Sequence, residues 1–153
     1  MKHFSSSLKS KLALLVAALT LVASAAAHSE QFEKFGEWQI HYNAIPSTFL
    51  APAIASQYGI TRSGYQGLLN IAIIHQNTGA ATTASVTGQV LNPLGQPQKL
   101  TFKEIKENDA IYYLAQFSHS NQEMLRFTID IEKDGKTHQL TFNQAFDVFD
   151  EED

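Results

Sequence analysis

The chain has 153 residues, is 44% hydrophobic and 17% charged, and contains no cysteine. That size suits one domain, and the balance of residues argues against collagen-like, low-complexity and wholly disordered chains. Disulfides, zinc ribbons, thiolate-held iron–sulfur clusters and a cysteine nucleophile are excluded.

Lys2, Lys9 and Lys11 precede an apolar run over residues 12–22, and small residues fill 23–27. The run is shorter than the roughly 18–20 residues that cross a bilayer. The order of charge, apolar run and small residues reads as a cleavable secretory signal peptide. Cleavage after Ala25 or Ala27 fits; Ala27 is taken as the boundary. This gives a signal peptide at 1–27 and one domain at 28–153, with no stable membrane span after cleavage and the periplasm as destination. Three of the eleven Lys and Arg and none of the fifteen Asp and Glu lie in 1–27, leaving eight basic against fifteen acidic groups, a net charge of −7 with histidine neutral. Such a chain lacks the basic stripe that nucleic acids or anionic lipids require.

After a polar lead-in at 28–36, Trp38, Ile40 and Tyr42 alternate with Gln39, His41 and Asn43, the pattern of a half-buried strand. Residues 44–65 break the rhythm, since Pro46 and Pro52 exclude a central strand. Pro52 suits the first turn of a short helix that Gly59 ends, with Ile54 and Tyr58 on one face. Residues 68–75 are nearly continuously apolar, as in a strand covered on both faces. A strand at 83–92 follows the turn at 76–79, and Gly88 within it marks a bulge or a close backbone approach. Further strands are expected at 100–105, 110–117, 124–132 and 140–146. Asp134-Gly135 is the turn between the last two. Residues 147–153 form an acidic tail. About seven strands with one short helix predict an all-β, immunoglobulin-like antiparallel β-sandwich. A partly open barrel is second.

No pattern specifies a reaction. His28, His41, His75, His119 and His138 are scattered, with no pair at metal-ligand spacing, so no metal or cofactor is expected. Ser118-His119-Ser120 reads as a polar turn, and no nucleophile elbow is present. Glu104, Glu107 and Asp109 read as a solvated strand end, and no phosphate loop or calcium loop occurs.

The segment 41–50 is the most unusual, mixing aromatic and hydrogen-bonding side chains between a strand and a helix. As a sandwich cap, Phe49 and Leu50 would plug one end of the core, while Asn43, Ser47 and Thr48 satisfied turn backbone. As a binding loop, His41, Tyr42, Asn43, Ser47, Thr48 and Phe49 would form a contact patch. The cap is the preferred reading. Tyr58, Arg62 and Tyr65 supply a second contact patch, Tyr and Arg being common interface anchors.

Phe35-Gly36-Glu37-Trp38, His41-Tyr42-Asn43-Ala44, Pro46-Ser47-Thr48-Phe49-Leu50, Tyr58-Gly59-Ile60, Arg62-Ser63 and Leu68-Leu69-Asn70-Ile71 carry a resemblance. It continues through Gly88, Asn92, Gly95, Asp109-Ala110-Ile111-Tyr112-Tyr113 and Leu125-Arg126-Phe127. The chain resembles a domain-of-unknown-function family of small exported proteins of Gram-negative bacteria. The resemblance implies an exported, β-rich single domain and supplies no activity or catalytic residue. The expectation is therefore a periplasmic binding or protein-interaction module that is not an enzyme, with a protein or a small ligand as partner. The alternative is a small enzyme or metal-handling protein with its site near residues 41–50.

Overall fold

The computed structural model describes residues 31–148. The signal peptide expected at 1–27, His28 and the end of the acidic tail lie outside the described residues. In chain order the elements are β1 (Gln31–Phe35), β2 (Trp38–Pro46), a 3-10 turn (Ser47–Phe49), α1 (Pro52–Tyr58), β3 (Gln66–His75), β4 (Ala81–Thr82), β5 (Ser85–Leu91), β6 (Pro97–Leu100), β7 (Lys103–Glu107), β8 (Ala110–Ser118), β9 (Glu123–Lys133) and β10 (Lys136–Phe146).

Every pairing is antiparallel. A six-stranded sheet runs β1-β2-β3-β8-β7, with β4 also paired to β3; a four-stranded sheet runs β10-β9-β5-β6. The expected all-β sandwich with one short helix is the fold.

Among the described residues the strands number ten rather than about seven, for identifiable reasons. The lead-in expected at 28–36 holds β1, whose two phenylalanines, Phe32 and Phe35, fall on opposite faces of a short strand and give no period of two. β4 has only two residues. The run at 100–105 is two strands in different sheets. Leu100 ends β6 facing the core, the chain crosses at Thr101 and Phe102, and Ile105 then lies opposite Tyr112 on the outer face of the six-stranded sheet. β2 also runs on to Pro46 instead of stopping at Asn43. Its register with β1 ends at Tyr42, and Pro46 is paired only with Gly67 of β3 among the described residues. A proline is tolerated there because no β1 residue in that register needs its missing N–H.

The core lies between the sheets. Ile40 and Ala44 of β2, Leu69, Ile71 and Ile73 of β3, and Tyr113, Ala115 and Phe117 of β8 face Leu125, Phe127, Ile129 and Ile131 of β9 with Leu140 and Phe146 of β10. Aromatic rings bridge the layers: Tyr42 lies 4.7 Å from Phe142 and Phe117 lies 5.0 Å from Phe127, centroid to centroid. Alternation therefore identifies the buried face of β2, β9 and β10. Gly88 marks a close approach rather than a bulge. The register on both of its sides is unbroken, and a Cβ there would stand 2.7 Å from the Thr128 carbonyl oxygen.

α1 forms as its sequence expects. Pro52 sits in the first turn, and Gly59 takes the left-handed conformation (φ 68°) that an L side chain resists. The Ile60 N–H then reaches back 2.7 Å to the Ala55 carbonyl. Seven residues make no stable helix alone, so α1 is held by what it touches. Among the described residues no helix is long and apolar enough to cross a membrane.

Candidate functional site

β3 is apolar on both faces. One face enters the core; the other presents Leu68 and Asn70 outward. Ile45 and Asn43 of β2 flank them in register on one side and Gln116 and Leu114 of β8 on the other. The excursion between β2 and β3 folds back over this outer face, carrying Leu50, Ile54, Tyr58 and Ile60. Between sheet and excursion lies an open groove of about 180 Å³, bounded on its far side by Ile105, Glu107 and Tyr112. Its lining is chiefly aliphatic. On the β3 side the Oδ1 of Asn70 is buried without a hydrogen-bond partner.

Both ends of the excursion are fastened. At its base Ser47 is fully buried. Its hydroxyl donates to the Ser63 carbonyl at 3.1 Å and accepts the Ser63 N–H at 3.0 Å. Arg62 donates Nε to the Leu50 carbonyl at 2.8 Å and Nη2 to the Thr48 carbonyl at 3.1 Å. At the far end Gln116 exchanges two hydrogen bonds with the backbone of Thr61, at 3.1 and 2.9 Å. Lys103 Nζ donates to the Tyr58 carbonyl at 3.3 Å. The Tyr58 hydroxyl donates to the Glu107 carboxylate, which holds the phenol above its ordinary range, with desolvation adding to the effect.

The residues expected to form a contact patch divide into three groups. Asn43 and Tyr58 line the groove. Ser47, Thr48 and Arg62 make the fastening at the base, Thr48 through its carbonyl. His41 and Tyr42 point to opposite faces of β2. His41 stacks on Phe32 with centroids 5.3 Å apart and meets Gln39 at 3.1 Å. Tyr42 packs into the sandwich on Phe142, its phenol raised first by burial and then by the charge of Glu33.

The cap reading is corrected at Phe49 and Leu50. Phe49 is 63% exposed and plugs nothing, while Leu50 lines the groove outside the sandwich. The 3-10 turn after Pro46 leads the chain away from the core and gives the buried place to Ser47. Tyr65 is also exposed.

Sequence reasoning missed the groove floor: Ile45, Leu68, Ile105 and Leu114. The available signal was the unbroken apolar run of β3, which called for a cover on its second face.

The other titratable groups are dispersed. His75 pairs with Glu37 at 3.0 Å and His138 with Glu33 at 2.9 Å. Among the described residues no group of three or more His, Asp or Glu stands close enough to hold a metal. His119, expected on a polar turn, is only 5% exposed, packed between Phe117 and Phe146. Its Nδ1 lies 3.1 Å from the Ser120 carbonyl. A carbonyl cannot donate, so that nitrogen carries a proton, and Nε2 is buried without a hydrogen-bond partner. The imidazole borders a separate cleft of about 320 Å³ with Gln96, Gln98, Ser118 and Glu123.

Residues 32–148 match the family model described as "Domain of unknown function (DUF4426)", and the chain belongs to that family. It is similar to a DUF4426 family protein of Pseudomonas aeruginosa whose crystal structure is solved: 35% identity over 81% of this chain and 99% of that one, with a TM-score of 0.70. Two structures of FetP from a uropathogenic Escherichia coli strain share the fold at much lower identity. One, from protein expressed in the periplasm, has 11% identity, covers 79% of this chain and 95% of that one, and has a TM-score of 0.57. The other, a copper-bound variant, has 12% identity, covers 77% and 95%, and has a TM-score of 0.53. No curated protein matches the chain.

Proposed function

We propose that this chain is an exported, periplasmic interaction module that carries out no catalysis and binds a partner protein through the groove under α1. The order of charged, apolar and small residues over 1–27 supports export. The observation that carries the binding reading is the groove: an aliphatic floor on a rigid sheet, an ordered wall fastened at both ends, and one buried acceptor, Asn70 Oδ1, left unpaired.

Size selects the class of occupant. Pockets for small molecules usually enclose about 300–1,000 Å³, and this groove is smaller, at about 180 Å³. It suits one large side chain better than a whole ligand. The unpaired acceptor favours a side chain that ends in a donor, so the reading is a tyrosine or tryptophan of the partner, the residues that most often anchor interfaces. The alternative of an enzyme or metal centre near residues 41–50 would need histidines and carboxylates converging on one point, whereas His41 stacks on Phe32 and meets Gln39.

Site-specific photo-crosslinking in cells tests the reading. A benzophenone side chain replaces Phe49, beside the groove-lining Leu50, or Thr128, on the outer face of the other sheet. One discrete adduct from position 49, absent from position 128 and lost on adding Ile54→Asp, is expected. No adduct at either position, or equal adducts at both, overturns the groove as the binding surface. N-terminal sequencing of the protein recovered from cells tests export separately, with a start after Ala25 or Ala27 expected.

A further inference from the structure

Sheet edges present unpaired backbone groups, and proteins guard them with short strands, charges, prolines or bulges. β7 is guarded by Lys103, Glu104, Lys106 and Glu107 within five residues. β6 has four residues and begins at Pro97. β10 has no such guard. It is eleven residues long, contains no proline, and pairs with β9 residue for residue without a bulge. From Thr137 to Phe146 it has no Lys, Arg, Asp or Glu, in a chain with fifteen acidic residues. Among the described residues, no backbone group on its outer edge has a protein partner.

We infer that β10 is a dimerisation edge. A second copy pairs with it antiparallel across a twofold axis at Thr141, joining two four-stranded sheets into one of eight strands. The strand is complementary to itself under that operation, which an isologous interface requires. Thr137, Gln139, Thr141, Asn143 and Ala145 are all exposed on the outer face. The twofold sets Gln139 opposite Asn143 of the partner subunit and Thr141 opposite Thr141 of the partner subunit, polar pairs that stabilise neighbouring strands. At the strand's ends Lys136 falls opposite Phe146 of the partner subunit, so no like charges face each other across the axis. A parallel arrangement in the same register would set Lys136 beside Lys136 of the partner subunit and lose the Gln139–Asn143 match. The groove lies on the other sheet and stays open in the dimer.

The absence of cysteine gives a direct test. Facing residues of antiparallel strands have Cα atoms about 4.5–5.5 Å apart, inside the range of about 4.4–6.8 Å that a disulfide spans. Thr141→Cys is expected to form a covalent dimer under mild oxidation. Thr137→Cys, displaced from the axis, is expected to stay monomeric. Sedimentation of the unmodified protein at about 100 µM is expected to show a dimer, and Thr141→Lys, which sets two ammonium groups face to face on an exposed position, to weaken it at least about tenfold. Thermal unfolding of the lysine variant establishes that its fold is kept. A monomer at that concentration, equal crosslinking at 141 and 137, or a dimer indifferent to Thr141→Lys in the folded variant overturns the inference.

Discussion

The six-stranded sheet carries apolar side chains on both faces, and the two faces are closed in different ways. Its inner face meets a second sheet, and there Ile40, Leu69, Ile71 and Ile73 lose all contact with water. Among the described residues its outer face meets a seven-residue helix and its flanking turns, which cover Leu68 and Ile105 but leave a groove above them. Strand composition alone does not separate a core from a binding surface. The extent of the cover does: four strands seal one face, and a fastened excursion half-seals the other.

The largest expected effect tests the sealed side. Phe127 is fully buried, stacked on Phe142 at 4.6 Å and edge-on to Phe117. Phe127→Ala should lower unfolding stability by about 3–5 kcal/mol, as deletion of a core aromatic does. Denaturant unfolding reads it, and a loss below about 1 kcal/mol would mean that the inner face is less tightly closed than its burial indicates.

Next comes the fastening of the half-sealed side. Ser47→Ala strands the N–H of Ser63 and leaves its carbonyl with the Gln66 N–H alone, and should cost about 1–3 kcal/mol. Hydrogen exchange should rise most over the excursion between β2 and β3, with the β9–β10 hairpin little changed. Uniform loosening of both regions would erase the distinction between them.

A smaller effect depends on pH. The Tyr113 hydroxyl donates to Glu104 at 2.9 Å and accepts the Ala84 N–H at 3.0 Å. Burial chiefly, then the Glu104 hydrogen bond and charge, raise its phenol above the ordinary value, against a lowering by the Ala84 N–H. The folded state holds this proton more tightly than the unfolded chain. Its contribution is therefore complete below the ordinary tyrosine value of about 10 and is lost as pH rises through the higher folded value. Tyr113→Phe should cost about 1 kcal/mol at neutral pH and flatten the alkaline fall in melting temperature; an unchanged fall assigns it to other groups.

The smallest effect separates the two surfaces most sharply. Phe49 is large, aromatic and 63% exposed. Phe49→Ala should alter stability by less than about 0.5 kcal/mol, the usual limit for surface positions. A loss of several kcal/mol would restore the cap reading.

Much of the fold was legible in the sequence because alternation reports a face directly. Trp38, Ile40 and Tyr42 mark the inner side of β2, and Leu125, Phe127, Ile129 and Ile131 that of β9. Asp134-Gly135 names its hairpin, and Pro52 and Gly59 bracket the helix. The crossing at Thr101 and Phe102 was not legible, because Leu100 and Ile105 are buried by different layers and no single period spans them. The site was less legible still. The Ser47–Ser63 and Arg62–Thr48 contacts join residues 16 and 14 positions apart, beyond any local pattern. Polar residue type hid the burial of His119, and aromatic type concealed the exposure of Phe49.

The double fastening of the excursion sets the thermodynamics of whatever enters the groove. Confining a loop that was free beforehand would be charged against the encounter, at about 1–2 kcal/mol for each residue backbone newly fixed. Here Ser47, Arg62 and Gln116 have already confined it during folding. A visitor therefore meets a wall of settled shape, and most of the free energy of its apolar contact is retained as affinity.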